Sequence, residues 1–159
     1  MRDSNGNIVS APQNLTKNKK WGNYSTQGVP YFFNARVAAT TDNRFVVAWQ
    51  REVLQSTGWS SEIFYRIFDA SGNSLTAAIK FTNGKPGSGY YSPTALGIAN
   101  GRVLLGLTHL AKKTQDMYFG VIQSDGTTVL ASSNLSNDGS AIYQRFDVGM
   151  LYALPLNQA

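Results

Sequence analysis

Aromatic side chains lie in four of five polar stretches of the sequence, all except 110–115, and they are the residues best suited to hold a ligand. The stretches are 17–34, 52–62, 83–93, 110–115 and 137–145. The candidate ligand-binding residues within them are Trp21, Tyr24, Trp59, Tyr90, Tyr91, Tyr143 and Arg145. Aromatic faces suit the apolar C–H patches of sugar rings, and nearby Asn, Ser and Thr side chains can hydrogen-bond to sugar hydroxyls. The pattern predicts lectin-like glycan binding, with a protein ligand as the alternative.

Basic residues lie in the same stretches, among them the run Lys17, Lys19 and Lys20. The chain of 159 residues carries a formal net charge of +5, and its pI is near 9.6. This charge favours an acidic glycan, and salt should weaken the attraction. The same mixture of side chains suits single-stranded nucleic acid, but a charge of +5 spread over several stretches is too weak a footprint to favour that partner.

Residues for metal binding or nucleophilic catalysis are scarce. The sequence has no cysteine and a single histidine, His109. A thiolate site, a disulfide and a His-rich metal site are therefore excluded. We predict no metal, no cofactor and no catalytic residue, and we interpret His109 as structural.

Carboxyl groups provide the candidates for an enzyme. A glycosidase needs two carboxyl groups about 5 to 10 Å apart, and the aromatic stretches supply Glu52, Glu62 and Asp138. A sialidase-like site also needs arginines for the carboxylate of its substrate, and Arg36 and Arg145 are the suggestive pair. The sequence favours a binding or scaffold module, and a sialidase- or glycosidase-like enzyme is the alternative.

The elements that must position these residues repeat along the chain. "DNRFVVAWQR" (42–51) returns as "NGRVLLGLTH" (100–109), and "EIFYRIFD" (62–69) returns as "DMYFGVIQ" (116–123). A third kind of segment has a turn followed by a strand that ends in Leu-Thr, Phe-Thr or Leu-Ser. Its glycines are Gly6, Gly72 and Gly126. A fourth kind is short and has a small residue at its centre, as in "RVAAT", "ALGIA" and "DVGML".

These segments define a unit of four strands. A is the short kind with a small central residue, B the kind with "RFVVAW", C the kind with "EIFYRIFD", and D the kind that ends in Leu-Thr, Phe-Thr or Leu-Ser. We predict strands because none has helical periodicity and all are rich in aromatic or β-branched residues. Asn100-Gly101 predicts a two-residue hairpin turn between A and B, in which both residues take a positive φ, and Asp42-Asn43 fills the equivalent turn. The B strands are apolar on both faces and need cover on both sides. Ala38, Gly97 and Gly149 suit A strands that converge around an axis. This arrangement predicts a β-propeller, with a β-sandwich as the alternative.

Two motifs carry a resemblance to a known family. "RFVVAW" (44–49) and "YRIFDASG" (65–72) resemble the degenerate β-propeller repeats of secreted bacterial proteins, and the likeness covers nearly the whole chain. "SDGTTV" (124–129) is similar to the Asp-box of sialidases, although it lacks the aromatic residue that closes that motif. The resemblance implies four-stranded blades. It also implies, as an alternative, that the chain is a fragment or subunit of a sialidase- or glycosidase-like propeller enzyme.

The predicted organisation is a single all-β repeat domain over residues 1–159. It has a D strand at 7–16, a first blade at 34–82, a second blade at 93–136 and a partial blade at 145–156. Since propellers have four to eight blades, about two and a half blades leave unpaired edges and apolar faces. We expect a closed homo-oligomeric ring, and a piece of a longer protein is the alternative.

The order of strands sorts the connections onto two ends of the sheets. The D-to-A and B-to-C connections contain the aromatic stretches and are predicted as long loops, whereas the A-to-B and C-to-D turns are short. No stretch is apolar over 18 residues, so no membrane span is expected. Charged residues make up 14% of the chain, against roughly 25% in typical globular domains. This composition favours an extracellular or periplasmic location, although the first residues do not resemble a signal peptide.

Overall fold

The computed structural model describes residues 5–7, 11–16, 26–111 and 114–136, which form two antiparallel sheets of four strands each. The first sheet contains β1 (Pro30–Ala39), β2 (Arg44–Gln55), β3 (Gly58–Asp69) and β4 (Ile79–Lys80), in that order. The second contains β5 (Ser88–Ile98), β6 (Arg102–Ala111), β7 (Thr114–Gln123) and β8 (Thr128–Asn134), also in chain order. The predicted all-β fold of four-stranded sheets is confirmed for these residues.

The two sheets pack face to face, and β5 lies against β1, β2 and β3. Their shared core contains Val46, Ala48, Tyr65 and Ile67 from the first sheet and Val103, Leu105 and Ile122 from the second. Side chains alternate between the two faces of a strand, so only every second residue of β2 or β3 reaches this core. The other apolar residues of these strands face away from the second sheet.

The hairpin turns before β2 and β6 contain the predicted residues, but each turn is three residues long instead of the predicted two. Asn100 and Gly101 have φ values of 62° and 66°, so both take the left-handed conformation. The register pairs Ile98 with Arg102, which leaves three residues in the turn. The first sheet has the same three-residue turn, because the Thr40 N–H donates to the Arg44 carbonyl at 2.9 Å. The prediction of two-residue turns was wrong by this one residue.

β1 and β5 each contain a bulge at the same position of the repeat. Pairing with the next strand is interrupted between Phe33 and Arg36 in β1, and between Tyr91 and Thr94 in β5. The first unpaired residue of each interruption, Asn34 or Ser92, has a φ near +50°. A bulge bends its strand and increases the local twist, so the two sheets bend where they lie against each other.

The prediction of long loops between the B and C strands is wrong. Residues 52–62 form the ends of β2 and β3, joined by the two-residue turn Ser56-Thr57 between paired Gln55 and Gly58. At the matching place Ala111 pairs with Thr114, so strand covers most of 110–115. The predicted loop at 83–93 also contains the first half of β5. Polar residues such as Ser and Gln have the composition of a loop in sequence, but here pairing with a neighbouring strand includes them in the sheet.

The outer edge of the first sheet is completed by threonine hydroxyls. β4 has only two residues, so part of β3 lacks a regular partner strand. The Ile67 N–H donates to Thr76 Oγ1 at 3.1 Å, and the Ile63 N–H donates to Thr82 Oγ1 at 2.9 Å. Side chains thus satisfy backbone donors that a longer fourth strand would have paired.

Two strands approach closely at Gly97. A Cβ atom at this position would lie 1.9 Å from the carbonyl oxygen of Ala39, far inside any real contact. The small residue predicted at Gly97, at the centre of a short A strand, is therefore required, and it lies near the end of β5, where β5 crosses the end of β1.

Side chains of the short turns link the sheets at one end. Ser124 Oγ donates to Asp42 Oδ2 at 2.6 Å, and Arg44 donates to the Ser124 carbonyl at 3.0 Å. The Gly101 N–H donates to Thr41 Oγ1 at 3.1 Å. The pKa of Asp42 is lowered mainly by the hydrogen bond from the Ser124 hydroxyl, and the hydrogen bond from the Thr40 hydroxyl lowers it further.

The lowered pKa of Asp42 predicts a loss of stability in acid. A carboxyl group whose pKa is depressed in the folded state adds stability above its unfolded pKa and loses it as the pH falls through the folded pKa. The free energy of unfolding should therefore hold above about pH 5 and decline toward about pH 3. Ser124→Ala should cost about 1 kcal/mol at neutral pH, since Asp42 is partly exposed, and should flatten this decline.

Urea unfolding at several pH values measures both effects. The pKa values of Asp69 and Asp125 are also lowered, by hydrogen bonds from Asn73 and Thr127, but these groups are present in both proteins and cancel in the comparison. Parallel pH profiles for the wild type and Ser124→Ala would show that the Asp42–Ser124 link does not contribute.

Residues 11–16 lie along the face of the first sheet that points away from the second. Gln13 Nε2 donates to the Gly72 carbonyl at 3.0 Å, and Leu15 lines cavities above β2. These residues are not in a strand; they belong to the segment predicted as the first D strand, whose residues 8–10 lie outside the described part. Within the described ranges, no helix is long and apolar enough to cross a membrane.

Candidate ligand-binding end of the sheets

The end of the sheets where β1 and β5 begin, called here the aromatic end, holds three of the seven predicted ligand-binding residues. Trp59 is the second residue of β3, and Tyr90 and Tyr91 lie near the start of β5. All three are half-buried, and all three are strand residues although their stretches were predicted as loops. The other four predicted residues, Trp21, Tyr24, Tyr143 and Arg145, lie outside the described residues.

Trp59 belongs to an aromatic cluster on the first sheet. Its ring meets the edge of Tyr31 with centroids 6.1 Å apart, and Tyr31 stacks on Phe33 at 6.5 Å. Phe33 is 38% exposed. The Gly87 N–H donates to the Trp59 carbonyl at 3.2 Å, which ties this cluster to the connection that leads into β5. Paired strands on a rigid sheet thus hold these rings in place.

Tyr90 belongs to a second aromatic cluster, with His109 and Tyr118 on the neighbouring strands. The Tyr90 ring lies 4.5 Å from the imidazole and 5.6 Å from the Tyr118 ring, centroid to centroid. Burial raises the pKa of Tyr90, and nearby Tyr118 adds to this effect. Ser61 Oγ of the first sheet donates to the Tyr90 carbonyl at 2.6 Å, so the two clusters lie at the same end.

His109 was interpreted from sequence as structural, and its surroundings agree with a neutral ring. Burial lowers its pKa, and the negative charge of Asp116 only partly opposes this effect. Nε2 lies 2.8 Å from Ser88 Oγ, whereas the buried Nδ1 has no hydrogen-bond partner among the described residues. A neutral imidazole can donate or accept here depending on its tautomer.

Gln50 connects both bulges, and the sequence analysis missed it. Its Oε1 accepts hydrogen bonds from Asn34 Nδ2 and from the Ser92 N–H, both at 3.0 Å. Its Nε2 donates to Glu52 Oε1 at 2.7 Å. Burial raises the pKa of neighbouring Tyr91, and the charge of Glu52 adds to this. The available signal was the spacing of 58 between Asn34 and Ser92, the same as between the two B strands.

The structure does not bring Glu52 and Glu62 together as a catalytic pair. Arg51 pairs with Glu62 across β2 and β3, so Glu52, the next residue of β2, projects to the opposite face of the sheet. Glu62 is buried and forms ion pairs with Arg51, at 3.1 Å, and with Lys80. Two carboxyl groups on opposite faces cannot flank one glycosidic bond. Asp138, the third candidate, lies outside the described residues.

The aromatic end combines half-exposed rings with polar groups. Among the described residues no three His, Cys, Asp or Glu side chains form a group that could hold a metal ion. Comparison with protein-family models, curated proteins and solved structures finds no match to this chain.

Proposed function

We propose that the chain is a binding module in which sheets of the β-propeller type form a scaffold and the aromatic end binds carbohydrate. The observation that carries this proposal is the placement of two half-buried aromatic clusters, around Trp59 and around Tyr90, at one end of two successive sheets. Rings held by paired strands lose little conformational freedom when a ligand stacks on them, which favours binding.

The order of strands supports the scaffold part of the proposal. Each sheet is a meander of four neighbouring strands, and the first strand of the second sheet lies across the first sheet. Successive blades of a propeller are arranged in this way. Each sheet also keeps one apolar face that the other does not cover, which is expected of blades whose further neighbours come from elsewhere.

Polar groups beside the rings support a carbohydrate as the ligand. Ser88 and His109 lie beside Tyr90, and Asn34 and Gln50 lie at the bulge that follows Phe33. Hydroxyl and amide groups next to aromatic faces match the alternating C–H and O–H surfaces of sugars. Secretion and preference for an acidic glycan are part of the same proposal, supported by the composition and the net charge of +5.

Trp59→Ala is expected to weaken glycan binding by roughly tenfold or more, as for a central aromatic contact. A glycan array first identifies retained ligands, and calorimetry then compares the dissociation constants. Trp59→Phe is the matched control, since it keeps a ring at this position and should retain most of the affinity. Urea unfolding of each variant shows whether the fold is intact. Equal affinities of the wild type and a folded Trp59→Ala for every retained glycan would rule out this site.

A further inference from the structure

Each sheet has an inner face, which forms the shared core, and an outer face, which points away from it. Through the internal repeat, the outer face of each sheet corresponds to the inner face of the other sheet. Residues of β2 and β6 correspond at a spacing of 58, and residues of β3 and β7 at a spacing of 54. The first outer face contains Phe45, Val47, Trp49, Phe64 and Phe68. It corresponds to Val103, Leu105, Leu107, Tyr118 and Ile122, on the inner face of the second sheet.

The second outer face corresponds in the same way to the inner face of the first sheet. It contains Leu104, Met117, Phe119 and Val121, which correspond to Val46, Ile63, Tyr65 and Ile67. The two inner faces form the interface between the sheets. Each outer face therefore has the same kind of residues, at matching positions, as one side of that interface.

Burial differs at three pairs of corresponding positions. Val46 and Ile67 are 0% exposed in the core between the sheets, whereas their counterparts Leu104 and Val121 are only half-buried. Leu105 is also 0% exposed, and its counterpart Val47 is half-buried.

On the first outer face Trp49 and Phe68 are themselves buried, at 5% and 2% exposure, whereas Phe45, Val47 and Phe64 are half-buried. The outer faces thus have the apolar character of the core with only part of its cover.

We propose that the second outer face of one copy of this chain packs on the first outer face of another copy, in the arrangement that the two sheets have within the chain. Such an interface joins two different surfaces, and repetition of it closes a ring or extends a filament. This inference rests on the proposed scaffold of propeller-type sheets, and it names the partner and both contact surfaces.

Polar contacts of the core interface have counterparts that can form between copies. Arg44 donates to the Ser124 carbonyl within the chain, and the exposed Arg102, its counterpart, is placed to donate to the Ala70 carbonyl of the second copy. Ser61 Oγ donates to the Tyr90 carbonyl. The counterpart of Ser61 is Gln115, whose amide can donate to the Phe32 carbonyl of the second copy.

Unsatisfied donors on the first outer face agree with a missing partner. Three buried side-chain nitrogens in the described part of the chain have no hydrogen-bond partner. Two of them, Trp49 Nε1 and Arg66 Nε, belong to this face. Buried donors without acceptors cost free energy, and a rearrangement of this face on association with a second copy can bring acceptors to them.

Two features show where the proposed interface between copies must differ from the interface between the two sheets of one chain. Residues 11–16 partly cover the first outer face, but cavities of about 170, 250 and 400 Å³ remain beside Leu15, so this segment does not fill the surface and has to shift. Ala39 is the counterpart of Gly97, which has no room for a Cβ atom. The strands must therefore lie slightly further apart between copies.

Light scattering on a sizing column, over a concentration series, tests the proposal with two blocked variants. Val47→Asp places a charge on the first outer face, and Val121→Asp places one on the second. We expect the wild type to associate and each variant alone to be monomeric. An equimolar mixture of the two should form a heterodimer, because each variant keeps the one surface that the other lacks. Leu75→Asp, at an exposed apolar residue on the β4 side of β3, is the matched control and should associate as the wild type does.

Arg102→Glu gives a second, independent test, since this exposed side chain has no part in the core. It should weaken association roughly tenfold while unfolding in urea as the wild type does. A folded wild type that stays monomeric at all concentrations would overturn the proposal, and so would a mixture of blocked variants that stays monomeric. Glycan binding of the same samples is measured separately, so failure of association is distinguishable from failure of the Trp59 site.

Discussion

Tyr65→Ala is expected to lower the free energy of unfolding by about 3–5 kcal/mol, the largest effect of any single truncation in this core. Tyr65 is the largest fully buried side chain of the described residues. Its ring meets Phe81 edge-on at 6.1 Å, and its hydroxyl donates to the Gly126 carbonyl of the second sheet at 2.9 Å. The truncation leaves a cavity between the sheets and an unpaired carbonyl.

Equilibrium unfolding in urea measures this loss, and Tyr65→Phe separates its two parts. The phenylalanine keeps the ring and removes the hydrogen bond, so it should cost only about 0.5–1.5 kcal/mol. If the alanine variant lost no more stability than the phenylalanine variant, the ring would not be a core element. The two sheets would then be held together by the polar links at Asp42 and Gln50 instead.

Gly97→Ala is the second large effect, with an expected cost of about 3 kcal/mol from a single added methyl group. The contact it creates, with the Ala39 carbonyl, involves backbone on both sides, so no rotamer change can relieve it. Either β5 moves away from β1 or the sheets separate locally.

Gly106→Ala is the matched control for this prediction. Gly106 lies in β6 of the same sheet, and an added Cβ there meets only the side-chain hydroxyl of Thr94, at 2.7 Å. That hydroxyl donates to the Gly106 carbonyl at 3.3 Å, and a change of the Thr94 rotamer loses only this long hydrogen bond. The change in stability should therefore stay within about 1 kcal/mol. Urea unfolding of both variants under one condition gives the comparison, and equal stabilities would contradict the close approach of β1 and β5.

The sequence by itself determined the all-β class, the four-strand unit and the residues of the turns. These features depend on local signals: the lack of helical periodicity, the aromatic and β-branched residues of the strands, the Asn and Gly residues that tolerate a positive φ in the turns, and the repetition of "RFVVAW" as "RVLLGL". The small residue at Gly97 was also predicted from sequence, at the centre of a short A strand, although it lies near the end of the longer β5.

Only the tertiary structure decided how the aromatic stretches are used. Residues 52–62 have the composition of a loop, yet pairing of Glu52 with Ser61 and Leu54 with Trp59 makes them strand. Strand pairing is a contact between distant residues, so composition within a short stretch cannot determine it. The same pairing places Glu52 and Glu62 on opposite faces, which spacing along the chain did not reveal.

The tertiary structure also decided which faces are covered. Alternation along β2 and β3 shows two apolar faces but not which one meets the second sheet. That choice follows from the direction in which β5 crosses the first sheet, guided by the bulges at Asn34 and Ser92 and by Gln50 between them. Burial depends on which surfaces finally meet, and this is a property of the packed sheets rather than of any one strand.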